Sequence, residues 1–233
     1  MAYTVEKLDQ GFWCIFDTMV RCFLFEGPEQ AILVDSGLGG DLLAFCRTLT
    51  RKPIQLVLTH SDRDHVGAIA QFDAPMMHPA EYALYAYRGF STTGLQPLWD
   101  GQILDIGTFR FEVIHIPGHT PGGIALLETE KRFLLTGDSA QSGAIYMFDV
   151  GRDLSALLAS IRRLQSIRSR FDTIYGSHGD QINTPEILDQ LECLISDILH
   201  GRLPDPVPAP PHLSSQVQCY QKGKAQLLLR LSD

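Results

Sequence analysis

Over residues 2–35 apolar and polar positions alternate in short runs. The segments "YTVEKL", "FWCIFD", "VRCFLFEG" and "AILVDSG" are rich in β-branched and aromatic residues and are separated by turn residues, which predicts four strands. The spacing then changes to a helical one between Gly39 and Thr50. "IQLVLTH" reads as a buried strand, "VGAIAQF" as a short helix and "HPAEYALYAYRGF" as an aromatic helix, and residues 90–101 form a Gly/Pro/Ser/Thr connector that holds Trp99. The theme returns in the second half. "QILDIG", "FRFEVIHIPG", "GIALLETE" and "RFLLTGD" predict strands, and "DLSALLASIRRLQSIRSRF" a long amphipathic helix. "DTIYGSHGD" is a strand that runs out into a loop. "TPEILDQLECLISDILHG" is a second long helix, with Thr184 as its cap and Gly201 as its stop. Residues 203–211 are Pro-rich and extended, and "SQVQCYQKGKAQLLLRL" folds back on itself over "KGK".

Strands followed by helices thus occur twice. This predicts an α+β fold and suggests two sheets packed together with helices outside. The expected organisation is one domain over 1–202, with the connector and hairpin of 203–233 packed on it. At 233 residues, 45% apolar and 20% charged, the composition is that of an ordinary globular protein. A net charge of −8 without a basic face argues against a nucleic-acid partner. No apolar run is long enough to span a bilayer, and the start of the chain lacks the pattern of a secretory signal. Five cysteines without a C-x-x-C pair point to a reduced, cytoplasmic chain. The sequence leaves the oligomeric state open.

The chemistry lies at the ends of the apolar runs. Asp35 follows "ILV"; His60, Asp62, Asp64 and His65 follow "LVLT"; His119 lies in "PGHTPGG"; Asp138 follows "FLLTG"; and His178 follows "TIYGS". Strand ends in layered α/β folds gather where sites form. Neutral imidazoles and carboxylates in such numbers suit a pair of divalent metals and the hydrolytic chemistry that such pairs support. His78, His115, His200 and His212 fall outside the pattern and read as strand, surface or packing residues.

The order H-x-D-x-D-H, G-H-T-x-G, G-D and a distant S-H-G, over about residues 11–182, resembles the metallo-β-lactamase superfamily. The resemblance implies a four-layer αββα fold, two mixed sheets sandwiched between helices, with which the strand reading agrees, and one metal on His60, the residue at 62 and His119. It implies a second on Asp64, His65 and His178, with Asp138 bridging the two. Asp35 would support the ligands from behind, and Asp64 would also act in catalysis by holding the attacking water. Zinc is the expected metal, with iron or manganese as alternatives. The implied activity is that of a hydrolase, in which a hydroxide held between the metals cleaves an ester, lactone, thioester or phosphoester of a small molecule. Aspartate at 138 resembles the glyoxalase II and lactonase branches more than the zinc β-lactamases. The short tail, poor in Lys and Arg, disfavours glutathione thioesters.

The departure is Asp62, where most of the family has histidine. Asp62 either ligates, points away, or marks a decayed site; ligation would add negative charge and favour harder metals. The iron reductases of the family, which carry an acidic residue there, make a non-haem di-iron oxidoreductase the second reading. A non-catalytic metal or ligand sensor is the third. Trp99, Tyr146 and Phe148 are the candidates for lining an apolar substrate pocket.

Overall fold

A computed structural model of the protein describes residues 3–213 and 216–230. The outermost positions of the expected domain and hairpin ranges, residues 1–2, 214–215 and 231–233, lie outside the described residues. The chain divides into two compact units, Met1–Ile114 with Leu126–Glu130, and His115–Ala125 with Lys131–Asp233.

The first unit opens with an antiparallel meander of β1 (Thr4–Asp9), β2 (Phe12–Asp17), β3 (Val20–Glu26) and β4 (Ala31–Val34). Helix α1 (Leu42–Leu49), capped by Asp41 on the Ala44 N–H, crosses over to β5 (Ile54–Val57), which pairs parallel with β4. Helix α2 (Arg63–Val66), β6 (Met76–Met77), α3 (Tyr82–Tyr87) and β7 (Gln96–Pro97) follow, and β1 to β7 form one sheet in sequence order. Strands β8 (Ile103–Asp105) and β9 (Arg110–His115) pair antiparallel.

Strand β3 is buried along nearly its whole length because both of its faces are covered. Cys22 and Leu24 join Ile15, Leu33, Leu42, Cys46, Leu56 and Tyr85 in one apolar cluster. The alternate residue Phe25 stacks on Phe12 with ring centroids 4.4 Å apart and meets Phe111 at 4.8 Å. A sheet buried on two sides is what the run "VRCFLF" requires, because it offers no polar stripe for solvent.

Strand β10 (Ile124–Glu128) leads into the second unit, where β11 (Phe133–Leu135) pairs parallel with β13 (Thr173–Tyr175). Between them lie β12 (Gly143–Tyr146) and helix α4 (Leu154–Ser166), which is capped by Asp153. Helix α5 (Glu186–Leu199) packs on α4 through buried leucines and isoleucines, with Arg162–Glu192 and Arg168–Asp189 ion pairs along the exposed edge. Strands β14 (Val217–Lys222) and β15 (Ala225–Arg230) make the expected hairpin, and β15 pairs parallel with β12. Among the described residues no helix is long and apolar enough to cross a membrane.

Two local readings change and one strand is added. Residues 143–146, assigned no element from the sequence, form a strand that pairs with β15. Helix α2 begins inside the charged loop, so that Asp64 and His65 are helical. Thr184 does not cap α5. Its hydroxyl hydrogen-bonds the Glu186 carboxylate and holds that group below its ordinary range.

Leu33 is fully buried at the centre of the first unit's core. Leu33→Ala is expected to lower stability by about 2–5 kcal/mol in urea unfolding. All five cysteines are free thiols, and all but the half-buried Cys193 are buried. Burial pushes the Cys14 and Cys46 thiols up to about 12. A thiol reagent at neutral pH is therefore expected to titrate one cysteine in the native protein and five after unfolding.

Candidate metal centre

Parallel strand ends place the first set of side chains. Val34 of β4 pairs with Val57 of β5, so Asp35, Thr59 and His60 leave the sheet at the same edge. Asp35 is almost completely buried and adopts the left-handed backbone (φ 64°), a strained conformation for a residue with a side chain. Its Oδ1 accepts from the Thr59 N–H at 2.7 Å, and its Oδ2 accepts from the Thr59 hydroxyl at 2.8 Å. The same Oδ2 lies 2.8 Å from Nδ1 of the buried His65. Ser36 completes the grip: its N–H and hydroxyl both donate to the His65 carbonyl, at 2.7 and 3.0 Å.

This network fixes which ring nitrogen carries the proton. The one hydroxyl proton of Thr59 goes to Asp35, so Thr59 Oγ1 can only accept from His60 Nδ1, 2.9 Å away. Nδ1 of His65 must likewise be the donor to the carboxylate. In its neutral form each imidazole so held presents an Nε2 lone pair, as a metal-binding histidine does. His60 Nε2 lies 3.7 Å from Asp62 Oδ2, and His65 Nε2 lies 3.8 Å from Asp64 Oδ2. These separations exceed good hydrogen-bond distances. They are close to the spacing of two ligands on one cation, roughly 3.3–3.5 Å when each lies 2.0–2.1 Å from it in a tetrahedral site.

Asp62 has a second engagement. Its Oδ1 forms an ion pair with Arg88 at 2.6 Å, and both side chains are largely buried. Arg88 Nη1 also donates to Ser61 Oγ at 3.1 Å, and Ser61 donates through its N–H and hydroxyl to the fully buried Glu81. Neither Arg88 nor Glu81 was singled out in the sequence. The signal available was the extra carboxylate at 62, which calls for a countercharge, and the acid and base that flank "YALYAY".

The second unit holds the remaining candidates. Leu135 pairs with Tyr175, so Asp138 and His178 each lie three residues beyond one rung of a parallel ladder. His178 Nε2 is 3.4 Å from Asp138 Oδ2, and His119 Nε2 is 3.7 Å from the same oxygen. One carboxylate oxygen thus faces two imidazoles at ligand-to-ligand spacing. The His119 loop lies close on α4: Gly118 has φ 137°, and a Cβ there would sit 2.3 Å from the Leu157 nitrogen. Arg152 donates to the His119 carbonyl. Behind His178, Gln141 Oε1 accepts from its N–H at 2.8 Å, and Gly179 (φ 65°) passes too near the Ser142 carbonyl to carry a side chain.

The other histidines have local partners. His115 Nε2 meets the Pro121 carbonyl at 2.9 Å, His200 Nδ1 the Ser196 carbonyl at 2.7 Å, and His78 Nδ1 the Ala80 N–H at 3.2 Å. His212 lies 3.4 Å from the Tyr146 hydroxyl. Of the pocket candidates, Tyr146 and Phe148 pack against the C-terminal hairpin with Val217, Cys219 and Leu228. Trp99 is half exposed in the first unit, with its ring edge-on to His78.

Residues 15–178 match the profile of the metallo-beta-lactamase superfamily. The hydroxyacylglutathione hydrolase GloC of Haemophilus influenzae is 34% identical over 159 residues, which cover 60% of this chain and 75% of that protein. The human acyl-coenzyme A thioesterase MBLAC2 is 27% identical over 190 residues, covering 61% and 68%. A metallo-beta-lactamase from Pontibacter korlensis superposes with a TM-score of 0.74 at 20% identity, over 84% of this chain and all of that one. The crystal structure of TTHA1623 in a di-iron-bound form superposes with a TM-score of 0.61 at 28% identity, over 76% of this chain and 96% of that one. The α+β fold is the one expected from the sequence, and with the match covering most of its length the chain belongs to the metallo-β-lactamase superfamily, as a metal-dependent hydrolase.

Proposed function

We propose that the protein is a two-metal thioester hydrolase acting on a small, partly apolar acyl group. The reading of the metal centre is carried by the Asp35–Thr59–His65 network, which turns two Nε2 lone pairs toward carboxylate oxygens. In this reading His60, Asp62 and His119 hold one cation, Asp64, His65 and His178 hold the other, and Asp138 serves both. When bound, the cations lower the pKa of water to about 7 and polarise the acyl carbonyl. Zinc is the first assignment; iron is the alternative, supported by the di-iron form of a relative at 28% identity.

The chain's own residues supply the rest. Asp64 stands at the start of α2 with its side chain partly exposed, where it can meet substrate and water. Its carboxylate takes the proton of the attacking water and returns it to the departing sulfur as the acyl carbon–sulfur bond breaks. Trp99, Tyr146 and Phe148 are proposed to line the acyl side. Thioesters are favoured over other esters because the two named relatives share that chemistry: one acts on an acyl group carried by glutathione, the other on one carried by coenzyme A.

Hydroxyacylglutathione and acyl-coenzyme A substrates separate the two thiol carriers. Thiol release from at least one is expected, with loss on chelation and recovery on adding Zn2+. Asp64→Asn is expected to lower kcat by about 10²–10⁴-fold. A metal-loaded protein that releases thiol from neither substrate would sink the assignment. Thr59→Val removes the hydroxyl that sets the His60 tautomer. It is expected to weaken metal binding by about 10–100-fold in chelator competition, and to lower stability by about 1–3 kcal/mol because buried Asp35 and His60 each lose a partner.

A further inference from the structure

We infer that Arg88 is a positioning residue which fixes Asp62 in the one orientation that lets it replace a histidine ligand. The inference rests on the two-metal reading and adds a residue to it.

Asp62 occupies the N-cap position of α2, where an aspartate ordinarily accepts the N–H two or three residues further on. Here the side chain makes no capping bond. Its two oxygens are divided instead: Oδ1 goes to Arg88 at 2.6 Å, and Oδ2 faces His60 Nε2 at 3.7 Å. A carboxylate reaches less far than an imidazole and can turn about its last bond. Holding one oxygen removes that freedom and leaves the other beside the histidine.

Helix α3 is built to supply the hold. Glu81 precedes its first residue and Arg88 follows its last, so the charged pair is about two turns apart. Each sits at the helix end whose partial charge it complements. Glu81 grips Ser61 through N–H and hydroxyl, while Arg88 grips Ser61 Oγ and Asp62 Oδ1. One short helix therefore brackets the Ser61–Asp62 dipeptide. The guanidinium also offsets the charge that aspartate adds where the family's histidine is neutral. The negative charge expected from ligation by Asp62 would thus be partly offset.

The test is metal binding rather than turnover. Metal-free protein is titrated with Zn2+, and separately with Mn2+, against a chromophoric chelator. Wild-type protein is expected to take up about two ions per chain; uptake of none would overturn the two-metal reading and this inference together. Arg88→Gln is expected to bind one ion about 10–100-fold more weakly and the other unchanged. Arg88→Lys, which keeps the charge but not the fork, should show a smaller loss, and it carries the comparison if the glutamine variant does not fold. In the Asp62→His background Arg88→Gln should leave both affinities unaltered, because an imidazole needs no guanidinium to orient it. Unaltered or tighter binding in Arg88→Gln alone, or an equal loss in both backgrounds, would overturn the positioning role while leaving the two-metal reading intact.

Discussion

The buried carboxylate of Asp35 is the interaction on which the first half of the candidate site depends. One side chain receives a backbone N–H, a hydroxyl and an imidazole, and through that hydroxyl it controls a second imidazole. A carboxylate this deep needs several donors to offset its desolvation, and those donors are the groups that must be held still. The left-handed backbone at Asp35 belongs to the same bargain: the strain is tolerated because the surrounding hydrogen bonds leave no alternative.

The logic of the strand ends was readable in the chain. Apolar runs that stop at "VDSG", "LTHSD", "TGDS" and "GSHGD" mark where parallel ladders release their side chains. The register agrees: Asp35 and Thr59 follow the Val34–Val57 rung by one and two residues, and Asp138 and His178 each follow the Leu135–Tyr175 rung by three. What the chain did not disclose is made by pairing across long separations. Strand β12 takes its ladder from β15, which lies far along the chain. The bracket around Asp62 joins residues 20 and more positions apart in sequence through Ser61. Arg88 alone is an ordinary helix-end arginine, and only its distance from Oδ1 gives it a part.

Asp62 shows how a changed ligand position can be absorbed. A substitution of aspartate for histidine alters reach, charge and rotational freedom together. One guanidinium at the end of the neighbouring helix would answer the charge and the rotational freedom, while the buried Glu81 and Ser61 anchor that helix in turn. The guanidinium would matter only while an aspartate stands at 62, so the two positions are coupled. On that proposal, the largely buried cation beside Asp62 favours a working variant of the motif over a decayed one.

The burial of the cysteines acquires a meaning from the proposed chemistry. A thioester hydrolase discharges a free thiol with every turnover, and that thiol can oxidise and return as a disulfide. Exchange with such a disulfide requires a thiolate on the protein. With thiols pushed up to about 12, Cys14 and Cys46 are ionised to only about one part in 10⁵ at neutral pH, and the core shields them besides. Those two thiols would thereby be shielded from capture by the product, and exchange would be confined to the half-buried Cys193.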